Sequence, residues 1–367
     1  MDADTKSAYS NNFETAFGLL PEAVKAGVFP GAAAAVGCSR GLYRSGVCGS
    51  RSLEPEILPA LQDTLYDLAS LTKVVATATL FLLLQEEGRL SALDRVSRYV
   101  EGFSGDGRDS VTLLNLLTHT SGLQAHVRLD LLCRDYGDAI RCLTEMPFAY
   151  EPGESVVYSC LGYILLGRIL EKVGGDRLDA LCRKRIFEPL GMNDTAFNPA
   201  SSNVAATAYE EHGGRMLSGS CHDDNARFLG GVSGNAGLFS NIRDLSVFAS
   251  MLLNKGRFEG RQFLSRASVA AMTGNYTARL NQDRGLGWCI RGRRLKGVDH
   301  LTASAGDLMA PDAFGHTGFT GTSLWIDPEN DVFAILLTNC LHPDRDNAEL
   351  IRFRPLFHNA VMAGLDR

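Results

Sequence analysis

The sequence lacks several features that would indicate other classes of protein. Its nine cysteines are odd in number and form no C-x-x-C pair, which argues against a disulfide framework and against a zinc site. The longest apolar run, residues 74–84, is shorter than the ~20 residues that span a bilayer. The opening stretch MDADTKSAYSNNFETAF has neither the basic start nor the apolar core of a secretory signal. We therefore expect a cytoplasmic protein with no membrane span.

The charge balance and composition exclude some partners and leave others open. A net charge of −6 provides no general attraction to nucleic acid or to anionic membranes, so neither is expected as a partner. A hydrophobic content of 45% and a charged content of 21% are typical of a soluble globular enzyme. The 367 residues allow two domains or one large domain, and nothing in them indicates an oligomeric state.

Strand-like segments lie near both ends of the chain. Residues 32–38 and 42–47 are predicted to form a hairpin that turns at Ser39-Arg40-Gly41. FTGTSLWID and DVFAILLTN are predicted as two more strands, joined by the turn PEN. Helical periodicity at residues 12–26 and 347–364 predicts a helix at each end.

The middle of the chain has a different pattern. It shows helical periodicity punctuated by proline and glycine, at residues 71–87, 111–119, 161–173 and 178–187. We therefore predict a mixed α/β (α+β) fold, in which an antiparallel sheet built from both termini is flanked by helices. The predicted sheet domain comprises residues 1–67 and 240–367, and residues 68–239 form an inserted, mostly helical domain that carries the nucleophile.

Ser70 and Lys73 begin an otherwise apolar helix in YDLASLTKVVATATLFLLLQEEG. Residues three apart share a helix face, so the lysine can reach the serine hydroxyl. The helix dipole and an apolar surround disfavour a charged lysine, so its pKa is expected to fall. A neutral lysine beside a serine is a general base beside a nucleophile. A bare S-x-x-K pattern fits equally a capping serine followed by a lysine that reaches for solvent.

Tyr158 lies in VVYSCLGYILLG, just before a helix that Ser159 is expected to cap. There it is placed to relay a proton between the base and the leaving group. The alternative is a core tyrosine at the end of a strand.

His316-Thr317-Gly318 is predicted at the head of a strand in FGHTGFTGTSLWID. Gly318 permits a close backbone approach, so the following N–H, that of Phe319, is expected to pair with the N–H of Ser70 as an oxyanion hole. The alternative is an ordinary turn into an edge strand.

Taken in order, these motifs resemble the serine β-lactamase and penicillin-binding protein superfamily, in its class C β-lactamase-like branch. That branch includes D-Ala-D-Ala carboxypeptidases and family VIII carboxylesterases. The resemblance runs from about residue 28 to residue 339, and its supporting phrases are FPGAAAAV, YDLASLTKVVAT, LLTHTSGL, EPGESVVYS, FEPLGMNDT, HDDNARFLGGVSGNAGLFS, GLGW and GHTGFTGTSLWIDPENDVFAILLTN. It implies a β-lactamase/transpeptidase-like fold and no metal or organic cofactor.

The resemblance also implies an acyl-enzyme mechanism. Ser70 attacks a carbonyl, Lys73 and Tyr158 move protons, the oxyanion hole holds the tetrahedral intermediate, and water releases the acid. Two positions depart from the family pattern, and both belong to the expected substrate-binding set Cys160, His316, Thr317 and Gly318.

Cys160 stands where the family often has an asparagine, and a thiol is only a weak hydrogen-bond donor. His316 stands where β-lactamases often have a lysine, and histidine is charged only below about pH 6.5. Histidine at this position resembles the esterase and peptidase-like members more than efficient β-lactamases.

Two other motifs are predicted to be structural. His222, Asp223 and Asp224 are metal-ligand types, but adjacent residues do not easily converge on one ion, so a loop near the cleft, capped by Asn225, is expected. GGVSGNAG lacks the Lys-Ser/Thr of a P-loop and is expected to be a tight backbone passage beside the pocket.

The leading interpretation is a serine hydrolase that acts on small esters or amides, peptides included, through an acyl-enzyme. A second is a β-lactamase or a D-Ala-D-Ala carboxypeptidase. A third is a catalytically silent protein that binds penicillin-like ligands or peptides.

Overall fold

The computed structural model describes residues 12–210, 214–293, 300–343 and 348–366. The strands in these parts of the chain are β1 Gly31–Cys38, β2 Gly41–Ser52, β3 Leu58–Pro59, β4 Tyr66–Asp67, β5 Ala196–Phe197, β6 Leu238–Ser240, β7 Arg257–Phe258, β8 Arg261–Gln262, β9 Cys289–Ile290, β10 Phe314–Thr317, β11 Ser323–Asp327 and β12 Val332–Thr338. The α-helices are α1 Glu14–Lys25, α2 Thr79–Glu86, α3 Leu113–Leu117, α4 Leu129–Leu132, α5 Tyr136–Glu145, α6 Cys160–Gly174, α7 Leu178–Cys182, α8 Glu188–Leu190, α9 Asp224–Phe228, α10 Ile242–Leu253, α11 Arg266–Thr273, α12 His300–Ala303 and α13 Ala348–Gly364.

Seven strands form one antiparallel sheet in the order β3-β2-β1-β12-β11-β10-β9. The first and last long strands pair at its centre, where Ala32 lies opposite Thr338 and Val36 opposite Ala334. The predicted sheet built from both termini is thus confirmed, and so is the hairpin of β1 and β2. β2 runs further than predicted, to Ser52, because it also pairs with β3.

Helices cover both faces of this sheet. Every residue of β1 and β12 is buried, so alternate side chains enter two separate cores. One face packs against α1 and α13 through residues such as Ala34, Phe17 and Phe357. The other face packs against α10 and the helical part of the chain, where Ala35 and Phe248 share a core with Leu165 of α6. The short side chains of GAAAAVGC in β1 let these helices approach closely.

The residues around the predicted domain boundaries lie side by side. β4 pairs with β6, and Asp67 lies opposite Phe239. The helices between these two strands share one continuous apolar core with the sheet. The exact division at residues 68 and 240 stays a prediction.

The helix predicted at residues 71–87 is less regular than expected. It begins with a 3₁₀ turn, Ala69–Leu71, continues as a π-helical segment, Lys73–Ala78, and becomes α-helical only in α2. By length and composition the stretch Ala69–Glu86 is apolar enough to cross a membrane, but 78% of it is buried inside the protein, as in a core helix.

The predicted placement of His316-Thr317-Gly318 at the head of a strand is wrong. His316 and Thr317 end the separate strand β10, and a tight turn leads from Gly318 into β11. Gly318 donates its N–H to the carbonyl of Thr322 at 2.7 Å, and this bond closes the turn and breaks the strand.

Candidate active site

The turn that carries Ser70 has a strained backbone and is held in place by hydrogen bonds to the preceding residues. Ala69 has a φ of +46°, in the left-handed region that residues with a side chain rarely adopt. Its N–H donates to Asp67 Oδ1 at 2.8 Å, and Leu71 N–H donates to the carbonyl of Leu68 at 3.0 Å. The half-buried Ser70 is the middle residue of the 3₁₀ turn, and it lines the main cleft.

Lys73 is completely buried beneath that serine. Its Nζ donates to Ser70 Oγ at 3.0 Å, to the carbonyl of Asn235 at 2.9 Å and to Cys160 Sγ at 3.6 Å. These three contacts use the three donors of an ammonium group. Lys73 forms no ion pair with a carboxylate in the described parts of the chain. The predicted serine–lysine pair is therefore present, and the lysine does not reach for solvent.

The expected fall in the pKa of Lys73 is wrong. Burial, the largest single effect, lowers this pKa, but the interactions with Cys160, Tyr158 and Asp223 together raise it by more, so its net direction is upward from the usual value. The lysine is thus an ammonium at neutral pH, and its basic form is a minority species. The sequence could not indicate this, because none of these neighbours is close in sequence.

Tyr158 lies directly before α6, and Ser159 caps that helix as predicted by accepting from Gly162 N–H at 3.3 Å. Lys73 Nζ lies 4.9 Å from the centre of the Tyr158 ring. Burial raises the pKa of the Tyr158 phenol, while the charge of Lys73 opposes that rise. The phenol oxygen is buried and has no partner in good hydrogen-bond geometry among the described residues, but Lys73 and Ser70 lie close enough to it to oppose the rise in its pKa.

His316 lies behind Tyr158 and has no exposed surface. Its ring centre is 5.7 Å from that of Tyr158, and its Nδ1 pairs with the carbonyl of Thr317 at 2.8 Å. Burial, followed by the charges of Arg284 and Lys73, holds the pKa of His316 well below its usual value. The expectation of a histidine that gains charge near pH 6.5 is therefore wrong, and this side chain is neutral in the working range.

The turn after β10 brings backbone close to the nucleophile. A Cβ added to Gly318 would lie 2.4 Å from the carbonyl oxygen of Leu68, so only glycine fits against the Ser70 turn. Thr317 and Gly318 line the cleft with Phe319, whose side chain is 58% exposed at the rim. The residues of the predicted oxyanion hole thus border the same cleft as Ser70.

Cys160 is half-buried beside Lys73 and also lines the cleft. Burial raises the pKa of this thiol, although the charge of Lys73 opposes the rise. Lys73 Nζ lies 3.0 Å from Ser70 Oγ and 3.6 Å from Cys160 Sγ, so the geometry pairs the lysine with the serine more closely than with the thiol.

The cleft has a volume of about 610 Å³. Its walls combine apolar and polar groups, among them Ser70, Ala125, His126, Tyr158, Cys160, His222, Asp223, Gln282, Arg284, Leu301, Thr317, Phe319, Ile351 and Arg354. A second groove of about 520 Å³, around Tyr99 and Glu171, contains no serine or cysteine.

Sequence reasoning missed two buried arginines at this cleft. Arg354 of α13 donates to the carbonyls of Gly318 and Thr322, and burial lowers its pKa to about 10. Arg284 lies with its guanidinium carbon 5.7 Å from the centre of the Tyr158 ring. Neither arginine forms an ion pair with a carboxylate among the residues that the structure describes. No local pattern marks them, because the fold alone brings them to the cleft.

The loop around His222 lies beside the cleft, as predicted, but a different residue caps the helix that follows it. Asp223, and not Asn225, caps α9 by accepting from Ala226 N–H at 2.8 Å. Asn225 instead bridges to the backbone of Val127 and Leu129. No group of three or more metal-ligand side chains converges in the described ranges.

The fold and the Ser70–Lys73 pair at the cleft fit one class of protein: the chain is a serine hydrolase of the β-lactamase fold. It belongs to the beta-lactamase family, whose profile matches residues 18–358. A relative in Escherichia coli (strain K12), provisionally named D-alanyl-D-alanine carboxypeptidase, is 34% identical over 77% of this chain and 70% of its own length. The family and these relatives give no support to the alternative of a catalytically silent protein.

Solved structures share the fold at lower identity. A penicillin-binding protein homologue from Caulobacter crescentus has a TM-score of 0.77 and 21% identity, covering 96% of this chain and 97% of its own. EstCE1, described as a hydrolase with promiscuous acyltransferase activity, has a TM-score of 0.76 and 20% identity, covering 98% of this chain and 100% of its own.

Proposed function

We propose that the chain hydrolyses small esters or amides through an acyl-enzyme on Ser70. The observation that carries this proposal is the 3.0 Å contact between Ser70 Oγ and Lys73 Nζ at the wall of the main cleft. A serine hydroxyl is a weak nucleophile until a neighbouring base removes its proton. Lys73 is the basic side chain that touches this hydroxyl.

Lys73 and Tyr158 act as one proton-transfer unit in this proposal. The ammonium of Lys73 orients Ser70 Oγ at rest, and the deprotonated unit takes the serine proton as Oγ attacks the substrate carbonyl. The phenol of Tyr158 then passes a proton to the departing alcohol or amine. The same unit then takes a proton from a water molecule, and the water oxygen attacks the acyl carbonyl. As the intermediate collapses, the acid is released and the unit returns that proton to Ser70.

The tetrahedral oxyanion is proposed to lie between the backbone N–H groups of Ser70 and Phe319. Thr317, Gly318 and Cys160 contact the substrate along the cleft. His316 has no exposed surface, so its proposed contribution is to support the Tyr158 ring from behind.

The first experiment compares Ser70→Ala with wild type in the hydrolysis of p-nitrophenyl butyrate. Turnover should fall to background, because the acyl-enzyme cannot form. Ser250→Ala is the matched control, since Ser250 is a half-buried serine outside the cleft and should leave turnover unchanged. Saturable turnover in Ser70→Ala would refute the proposal.

The two arginines favour a second candidate, a D-Ala-D-Ala carboxypeptidase. Arg284 and Arg354 give the cleft positive charge with no carboxylate partner among the described residues. Both are nearly buried, and their guanidinium groups already donate to Gln282 and Cys289 and to the carbonyls of Gly318 and Thr322, so their charge attracts a substrate carboxylate without binding it directly. The provisional name of the 34% identical relative points the same way. The test is the release of D-alanine from diacetyl-Lys-D-Ala-D-Ala. A kcat/KM above that for p-nitrophenyl butyrate would favour the peptidase.

A further inference from the structure

Asp67 lies three residues before Ser70, and its side chain is almost completely buried, with 2% of its surface exposed. One carboxylate oxygen, Oδ1, accepts from Ala69 N–H at 2.8 Å, and the other, Oδ2, accepts from His222 N–H at 2.7 Å. Its backbone carbonyl accepts from the hydroxyl of Thr320 at 2.6 Å. One residue thus joins three segments that are far apart in the sequence.

Each of these segments supplies part of the cleft. Ala69 precedes the nucleophile and occupies the left-handed backbone region, which an alanine holds only when its surroundings enforce it. His222 also lines the cleft, and its ring lies 5.6 Å from that of Phe319. Thr320 belongs to the turn that contains Gly318 and the proposed oxyanion donor.

The contacts of Asp67 are better explained by positioning than by a general contribution to stability. A carboxylate is an acceptor at both oxygens, so it can hold two N–H groups from different segments at once. It forms no ion pair among the described residues, so its charge is offset mainly by backbone N–H groups. An asparagine, with the same shape, keeps only one acceptor and points its NH₂ at a second donor.

We propose that Asp67 is a positioning residue for acyl transfer, which fixes the Ser70 turn relative to the His222 wall and the Phe319 turn. The proposal rests on the proposed role of Ser70. A displacement of about 1 Å in a reacting group is enough to cost about 100-fold in rate. Loss of one of the two carboxylate bonds should therefore reduce the rate of acylation much more than it reduces substrate binding.

The test uses Asp67→Asn in the full-length protein. We expect kcat for p-nitrophenyl butyrate, and the rate constant for labelling by a fluorophosphonate, both to fall by about 10- to 100-fold. KM should change by less than about threefold, because the walls of the cleft remain. The rate constant for labelling separates positioning from a general loss of folded protein, because unfolded molecules lower the amplitude of labelling and the apparent kcat but leave that rate constant unchanged.

The matched control is Asp244→Asn. Asp244 is also 2% exposed and accepts from Asp194 N–H at 2.9 Å and from the Thr195 hydroxyl at 2.8 Å, but it does not line the cleft. Both bonds end on Oδ2, so an asparagine can keep them, and the variant controls for the loss of a buried carboxylate charge alone. It should keep the wild-type kcat per folded molecule. An equal loss of kcat in both variants would overturn the proposal, as would an Asp67→Asn variant within twofold of wild type.

A second variant decides the matter if Asp67→Asn does not fold. Thr320→Val keeps the side-chain shape and removes only the hydroxyl bond to the Asp67 carbonyl. It should lower kcat by about three- to tenfold at an unchanged KM, because one of the three hydrogen bonds that Asp67 accepts is lost. An unchanged kcat would overturn the proposal. Peptide mapping of labelled wild type distinguishes the two failures: a label on a residue other than Ser70 would refute the proposed function itself.

Discussion

Replacing Lys73 with methionine should separate activity from stability. Lys73 Nζ is the basic group at 3.0 Å from Ser70 Oγ, so Lys73→Met removes the proposed base and keeps an unbranched side chain of similar length. General-base catalysis contributes about 10²–10⁴-fold, so kcat/KM for p-nitrophenyl butyrate should fall by at least about 100-fold. That loss corresponds to about 3 kcal/mol or more of transition-state stabilisation.

The same change should destabilise the fold only modestly. It leaves the carbonyl of Asn235 without a donor that now lies 2.9 Å away, which costs about 1–3 kcal/mol. It also removes a fully buried ammonium and so recovers its desolvation penalty, but the raised pKa of Lys73 means that the contacts of the ammonium more than offset that penalty in the folded protein. We therefore expect the melting temperature of Lys73→Met to fall by no more than about 10 °C.

The assay pairs initial rates at pH 8 with thermal unfolding followed by circular dichroism. Ser159→Ala is the comparison variant, because it removes the cap of α6, whose loss costs about 1 kcal/mol, without removing a proposed proton carrier. It should lower the melting temperature and keep most of the activity. Lys73→Met with more than a tenth of wild-type kcat/KM would refute the role of the lysine. A large drop in its melting temperature would refute the account of its burial.

Four further outcomes are expected. Because the pKa of Lys73 is raised, its basic form is still increasing at pH 9.5, so kcat/KM for a neutral ester should rise steadily from pH 6 to 9.5. A maximum near pH 6.5 would contradict this. Cys160→Ser should keep ester kcat/KM within about threefold, because a hydroxyl also accepts from Lys73; inactivity of this variant would show a chemical role for the thiol. Arg354→Met should lower the free energy of unfolding by about 1–3 kcal/mol in urea titrations, because two buried carbonyls lose their donor; an unchanged midpoint would contradict that reasoning. Phe81→Ala should cost about 3–5 kcal/mol, because the ring has no exposed surface, and a loss below about 1 kcal/mol would contradict its place in the core.

The sheet was predictable because its strands carry their own pattern. The β1–β2 hairpin and the β11–β12 pair combine apolar runs with short turns, and both appear near their predicted places. Ser70 and Lys73 were predictable as a pair because they lie three positions apart in one continuous helical stretch. Local spacing is enough where the interacting groups lie on the same element.

The parts that failed depend on contacts between distant segments. The pKa of Lys73 depends on Cys160 and Tyr158, and that of His316 depends mainly on complete burial, and neither environment can be read from neighbouring residues. Arg354 reaches the cleft from the last helix of the chain. His316-Thr317-Gly318 was wrongly placed at the head of a strand, because the bond from Gly318 to Thr322 closes a turn inside a sequence that resembles one continuous strand.

The most direct test of the account is to trap the acyl-enzyme. The protein is mixed with p-nitrophenyl butyrate, quenched in acid within milliseconds, and its intact mass is measured before peptide mapping. We predict a mass increase of one butyryl group, located on Ser70 and absent from Ser70→Ala. An adduct on Cys160 or on another residue, or the same adduct in Ser70→Ala, would contradict the account.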